Sequence, residues 1–451
     1  MTALHAQHLL LPDGWTEDIT LHIRDGRIAQ FEQGRGETTT SVDILLPAPA
    51  NLHSHAFQRA MAGLTEGRGA DATDSFWTWR DLMFRFLDHL TPEDVEAIAA
   101  QVQMEMLEAG FATNVEFHYL HHQPGGAAYD NPAEMSARIC AAATQTGIGL
   151  TMLPVLYQQG GVDGRALTTG QVRFGNTIDG FMRLLEGAQT AVGMLPSDAK
   201  TGVAPHSLRA VTPEALDHLG RLKGPIHIHL AEQKAEVEEI KSAYGARPVT
   251  WVLDHQGIDA RWCLIHCTQM TLAETRGLAH TGAVAGLCPL TESSLGDGVF
   301  NGEDWVAAGG KWGIGSDSNI LVSLKEELRT LEYSQRLSTH RRAIFATPEK
   351  STARALFDDA CIGGAQAAGR DSGAIRTGAW ADLVALRSDA TDFIGRQGDT
   401  LLDTWVFAGT DAAITDVWAA GRHMVQDGRH VARTAISDTY RKTLTRLQDV
   451  M

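Results

Sequence analysis

Apolar and polar residues alternate along TLHIRDGRIAQF (20–31) on both sides of Asp25-Gly26, a dipeptide suited to a two-residue hairpin turn with positive φ at both central positions. The pattern returns near the other end, where DVWAAGRHMVQDGRHV (416–431) turns at Asp427-Gly428 and TGAWADLVAL (377–386) reads as a further strand. Similar β units at both ends predict that the termini meet in one sheet, with the long middle inserted between them.

That middle repeats a short apolar run, a polar loop and a helical stretch, which is the rhythm of parallel βα units. Eight runs qualify as strands: LLPAPANLHSH (45–55), FATNVEFHYLH (111–121), GIGLTMLPVLY (147–157), TGVAPHSL (201–208), GPIHIHLAE (224–232), WCLIHC (262–267), GAVAGLCP (282–289) and KWGIGSDS (311–318). Helical patterns such as PEDVEAIAAQVQMEMLEAG (92–110) lie between several of them. Eight such units predict an α/β fold: a (β/α)8 TIM-like barrel over 48–369, a small β-sandwich-like domain built from 1–47 and 370–433, and a C-terminal helix over 434–451.

Composition agrees with a soluble globular chain, with 43% hydrophobic and 21% charged residues among 451. No stretch reaches the ~18 uninterrupted apolar residues of a membrane span, and the N-terminus lacks the basic-then-apolar pattern of a signal peptide. A cytoplasmic protein without a membrane partner is expected. The five cysteines (Cys140, Cys263, Cys267, Cys288 and Cys361) are too sparse for a disulfide framework and read as reduced core residues. A formal net charge of −17, with no Lys/Arg block to override it, argues against nucleic acid as a partner.

Candidate chemistry begins at Asn51-Leu-His-Ser-His55. A strand alternates its side chains, so His53 and His55 would share a face and could converge on one ion. With 19 histidines in the chain, one H-x-H can also arise by chance, so further ligands are needed. In a barrel they should appear where strands end. The first run ends in His53 and His55, the fourth in His206, the fifth in His229, the sixth in His266 and the eighth in Asp317. In IHIHLAE, His229 is nearer the strand end than His227, which reads as a deeper core or supporting group. Cys263 and Cys267 could suggest a thiolate site with His266, but a strand would send the thiols to one face and the imidazole to the other.

Three imidazoles and one carboxylate (His53, His55, His229 and Asp317) make a donor set suited to one divalent metal ion, Zn²⁺ first, with Fe²⁺ or Mn²⁺ also accommodated. Such an ion turns water into a nucleophile near neutral pH. Asp317 can then accept its proton, His266 can polarise it, and Glu232 can protonate a leaving nitrogen. Glu232 in isolation would also read as an acid favoured by a helix N-terminus.

These residues, in the motifs N-L-H-S-H, H-L-A-E, I-H-C and G-S-D-S-N taken in order, resemble the amidohydrolase superfamily over nearly the whole chain. The resemblance implies a (β/α)8 barrel with one or two metals used for hydrolysis. APHSLRAV offers no lysine at the fourth strand, which points to the mononuclear, deaminase-like branch. Within it the chain is most similar to the enzymes that deaminate N-formimino-L-glutamate, by HSHAFQRAMAGLTE, FWTWRDLM, EFHYLHH, APHSLRAV, HIHLAEQ, LCPLTESSLGDG and GSDSN.

That similarity implies a small dicarboxylate amidine as substrate and a homodimer as the assembly. It implies metal ligands His53, His55, His229 and Asp317 and catalytic groups Glu232, His266 and Asp317. Two carboxylates call for cationic forks: Arg209, beside His206, for one and Arg80 for the other, with Gln58 and Tyr119 adding hydrogen bonds. Arg80 could instead be an exposed arginine stacked on Trp77 or Trp79. Where this chain has Leu290-Thr-Glu-Ser-Ser294, family members more often read T-T-E-A-N, which leaves the role of that loop open. The alternatives are a deaminase or chlorohydrolase of an aromatic amine, nucleobase or triazine, or a metal-free amidohydrolase-like scaffold.

Overall fold

The computed structural model describes residues 2–36, 40–64, 66 and 76–448, without the side chains of 76–81. Four strands open the chain: β1 (Thr2–Leu11), β2 (Gly14–Arg24), β3 (Arg27–Gln33) and β4 (Thr40–Pro47). Asp25 and Gly26 join β2 to β3 with φ of 52° and 76°, the positive pair expected of this hairpin. A Cβ on Gly26 would also lie 2.7 Å from the carbonyl oxygen of Ala420, so the turn's approach to the far end of the chain requires glycine.

Nine strands follow: β5 (Ala50–Ser54), β6 (Thr113–His118), β7 (Gly149–Leu156), the two-residue β8 (Lys200–Thr201) and β9 (Ala204–Pro205), β10 (Ile226–Leu230), β11 (Trp262–His266), β12 (Val284–Leu287) and β13 (Lys311–Ile314). They pair in parallel as β5-β6-β7-β8, with β9 also on β7, and as β10-β11-β12-β13. Parallel bridges Val203–Ile226 and Ser207–His229 join the first set to β10, and Ser54–Asp317 joins the end of β13 to β5. The order thus returns to its first strand, as a (β/α)8 barrel requires, with β8 and β9 together filling the fourth place.

The last strands, β14 (Leu383–Leu386), β15 (Ile414–Ala419), β16 (Arg422–Gln426) and β17 (Arg429–His430), return to the first four in one sheet of order β17-β16-β15-β14-β4-β1-β2-β3. Strand alternation divides β14 between two cores: Leu383 and Ala385 join the small-sheet cluster, while Val384 and Leu386 join the barrel cluster. A buried ion network fastens the junction. Arg370 donates to Asp382 at 2.7 and 2.9 Å and to Asp198 at 2.8 Å, and Arg422 reaches the same Asp198 at 2.8 and 2.7 Å.

Three predicted elements differ in detail. The run LLPAPANLHSH is split between β4 and β5, because Pro47 and Pro49 lack the N–H that a continuous ladder needs. The fourth run contributes only β8 and β9, and His206 lies just beyond them. TGAWADLVAL is strand only from Leu383, after a turn in which Gly378 has φ 86°. The helix Pro92–Glu108 starts at a capping box formed by Thr91 and Asp94. The C-terminal helix, Arg433–Gln448, is tied to it by the ion pairs Arg433–Glu108 and Arg446–Asp94. No helix among the described residues is long and apolar enough to cross a membrane, and all five cysteines are free and buried.

Candidate metal centre and substrate cavity

The parallel strands deliver the predicted side chains to one place. His53 lies in β5 and His55 just after it, His229 lies in β10, His266 ends β11, and Asp317 follows β13 by three residues. Backbone hydrogen bonds of 2.9 Å run from His55 N to Asp317 O and from Asp317 N to His53 O, so the first and last strand ends are locked in register. Ala231, His266, Asp317 and Asn319 take φ of 52°, 71°, 46° and 56°, which is uncommon for residues with a Cβ and concentrates backbone strain here. Asn319 Nδ2 holds one such turn by donating to His55 O and Asp317 O, each at 3.1 Å. Glu236 holds another by accepting from Ala231 N at 3.1 Å and Glu232 N at 2.9 Å.

One ligand atom each from His53, His55, His229 and Asp317 lies within 4.8 Å of the other three, and all four residues are buried. Asp317 Oδ1 is 3.1 Å from His55 Nε2 and 3.4 Å from His53 Nε2, and the Nε2 atoms of His53 and His229 are 3.1 Å apart. His55 Nδ1 faces Phe117 O at 2.9 Å and His229 Nδ1 faces His206 O at 3.1 Å. A carbonyl only accepts, so each Nδ1 carries its proton and each Nε2 turns a lone pair inward. Converging lone pairs and a carboxylate repel one another unless a cation joins them, so this donor set fits a divalent ion.

The charges follow from burial and these neighbours. Burial pushes His53 down to about 3 and, with the surrounding imidazoles, holds His229 well below the usual histidine range, so both are neutral ligands. Burial would raise Asp317, but its close contacts with His53 and His55 outweigh it and hold the acid well below the usual carboxylate range. For His266, burial is overcome by Glu232, by a hydrogen bond to Glu292 and by Asp317, which together raise it to about 10. Burial raises Glu232 above the usual carboxylate range, and His266 Nε2 lies 3.8 Å from it.

A cleft with roughly 650 Å³ of empty space, counting its open mouth, is walled by these groups. Gln58, Tyr119, His206 and Arg209 all line it, beside Met83, Phe84, Tyr157 and Phe174. Gln58 Nε2 donates to the Tyr119 hydroxyl at 2.6 Å. The buried Nε of Arg209 has no protein hydrogen-bond partner, and although burial opposes its charge, Glu236 and Glu232 keep the guanidinium charged. The side chain of Arg80 lies outside the described residues. His227 is set below the cleft, fully buried, with Nε2 donating to Ala367 O at 2.9 Å.

Three buried acids went unnoticed in the sequence. Glu292, in the loop of open role, accepts from His266 Nδ1 at 3.2 Å and from Cys288 N at 2.8 Å through the same oxygen. Asp297 accepts from Gln233 Nε2, and burial, with Glu232 next, pushes it up to about 9. Glu116 accepts from Ala56 N at 2.7 Å and Asn114 Nδ2 at 3.2 Å, behind His55. Only Glu292 had a usable signal, since it follows the end of the seventh predicted strand by one helical turn.

Residues 44–424 match the family model described as Amidohydrolase family, and residues 1–38 match the one described as Formimidoylglutamate deiminase HutF, N-terminal domain. The chain is 42% identical over 456 residues to formimidoylglutamate deiminase from Pseudomonas aeruginosa, covering 100% of each chain. It superposes on the crystal structure of an amidohydrolase from Brucella melitensis with a TM-score of 0.95 and 49% identity, covering 99% of this chain and 100% of that one. An adenosine deaminase from Xanthomonas campestris with bound zinc shares the fold, with a TM-score of 0.82 and 20% identity over 99% of this chain and 98% of that one.

Proposed function

Since the chain belongs to the amidohydrolase family, we propose that it hydrolyses N-formimino-L-glutamate to N-formyl-L-glutamate and ammonia, a step of histidine degradation. The observation that carries this reading is one cavity holding both the His53, His55, His229 and Asp317 cluster and the charged Arg209 guanidinium, in a chain 42% identical throughout to a formimidoylglutamate deiminase. The cluster supplies hydrolysis, and Arg209 supplies a reason for a carboxylate.

His53, His55, His229 and Asp317 would hold one divalent ion, Zn²⁺ before Fe²⁺ or Mn²⁺, and the ion supplies the Lewis acidity that makes water nucleophilic near neutral pH. Arg209 receives a substrate carboxylate on its free Nε–H, with Tyr119, Gln58 and His206 shaping the wall against which the rest of the chain lies. Glu232 and Asp317 favour the cationic amidine. As water adds to the amidine carbon, Asp317 takes its proton, and the His266 imidazolium donates a hydrogen bond to the incoming oxygen. Glu232, whose proton affinity burial raises, takes the proton of the adduct's hydroxyl and passes it to the nitrogen that departs as the C–N bond breaks, while the proton held by Asp317 returns to solvent. Ammonia leaves, and the oxygen remains in the formyl group.

A cytoplasmic homodimer completes the reading, supported by the free buried cysteines and by the family resemblance respectively. So do domain limits of 1–47 with 370–433, 48–369 and 434–451, supported by the sheet that unites β1–β4 with β14–β17. Ammonia release by purified, metal-loaded protein tests the function. Turnover of N-formimino-L-glutamate with formation of N-formyl-L-glutamate is expected, and equal inertness toward every dicarboxylate amidine overturns it.

A further inference from the structure

The ends of three consecutive strands, β11, β12 and β13, bring His266, Cys288 and Asp317 together. One ligand atom from each lies within 4.8 Å of the other two, and all three residues are buried. The reaction above uses His266 and Asp317 and gives Cys288 no part. Yet the cysteine is firmly placed. Its backbone N–H donates at 2.8 Å to the Glu292 oxygen that also faces His266 Nδ1 at 3.2 Å. A single carboxylate oxygen therefore fixes the cysteine backbone and the imidazole relative to each other, and His266 Nε2 is left 3.8 Å from Asp317 Oδ2.

We propose that His266, Cys288 and Asp317 form a second, inhibitory site for a thiophilic divalent ion, Cd²⁺ or excess Zn²⁺. The site rests on the reading of Asp317 as a ligand of the first ion. A thiolate, an imidazole and a carboxylate together select soft and borderline ions over Mg²⁺ or Mn²⁺. Bonds form to Sγ, to the imidazole nitrogen and to a carboxylate oxygen. The thiol proton and the Nε2 proton of the His266 imidazolium leave to solvent, and no electrons are exchanged. Glu232, 3.8 Å from His266 Nε2, and Glu292 lie close enough to offset the added positive charge. Capture of His266 and of the second oxygen of Asp317 removes two groups the hydrolysis needs, so the enzyme stops while its first ion stays bound.

The test is a Cd²⁺ titration of protein already carrying one ion per chain, read by ultraviolet absorption, bound-metal analysis and ammonia release. A thiolate-to-cadmium charge-transfer band should grow with the second ion while turnover falls by about tenfold or more, and Mg²⁺ should do neither. Cys288→Ser and Cys288→Ala, made in parallel in case one fails to fold, should bind one ion, show no band and keep their turnover in Cd²⁺. Absence of the band in the unaltered protein overturns the proposal, as does an unchanged band and inhibition in either variant. The band and stoichiometry need no substrate. Their failure therefore removes the second site alone, whereas a protein that shows them but ignores N-formimino-L-glutamate removes the deiminase reading alone.

Discussion

Asp317 Oδ1 lies 3.1 Å from His55 Nε2, across the seam where the last barrel strand returns to the first. The same carboxylate thus serves the donor cluster and faces His266 Nε2 at 3.8 Å with its other oxygen. Asp317→Asn keeps the shape and removes both the anionic donor and the proton acceptor. Turnover should fall ~10²–10⁴-fold and bound metal should drop, measured by ammonia release and metal analysis on the same sample. Full activity with a full metal complement would contradict the assignment.

Arg209→Met separates a dicarboxylate substrate from an aromatic one. The Nε of Arg209 is buried without a protein partner, so its loss should weaken binding of N-formimino-L-glutamate by ~2–5 kcal/mol. The effect should appear in KM or in the Kd of a substrate analogue, with the metal content unchanged. An aromatic amine would scarcely notice the change.

Glu292 is a positioning residue whose Oε1 accepts from His266 Nδ1 and Cys288 N. Glu292→Ala frees the imidazole to turn, and kcat should fall ~10–100-fold with little change in KM. Glu292→Gln keeps an acceptor oxygen and should recover much of the loss. Equal damage in both variants, with KM altered as strongly as kcat, would mark the loop as merely structural.

His118 and His227 give the fold an acid limb. Burial lowers them from 6.5 to about 3 and about 4, so between those values and 6.5 the unfolded chain binds protons that the folded chain refuses. Stability therefore rises with pH across this window and is lost as pH falls below 6.5. At pH 4 each should cost on the order of 3 kcal/mol. Thermal melts at stepped pH values should show Tm declining steadily below 6.5, and a flat profile would contradict the assignment.

Period-two patterning and two Asp-Gly turns were enough to predict a sheet shared by both ends, because hairpin chemistry is local. The strand-end histidines were legible for a similar reason: a parallel barrel fixes which end of every strand faces the cavity. The domain limit set at 47/48 falls between β4 and β5, but the apolar pattern alone still joined 45–55 into one strand run, since both sides of Pro47 and Pro49 are equally apolar. Nor could it find Asp297 and Glu116, or, beyond its place one helical turn past a strand end, the role of Glu292. Each is a carboxylate of ordinary sequence surroundings whose importance comes from burial and from partners distant along the chain, as with His266 for Glu292. Arg209 was found through the substrate implied by resemblance rather than through any periodicity.

Stepwise return of Zn²⁺ to metal-stripped protein, with ammonia release from N-formimino-L-glutamate recorded at each addition, tests the central claim most directly. Activity should climb in proportion to added ion and reach its plateau at one ion per chain, while a protein lacking the His53 and His229 imidazoles should stay inactive throughout. Unchanged turnover in the stripped protein, or full activity without those two rings, would contradict the account.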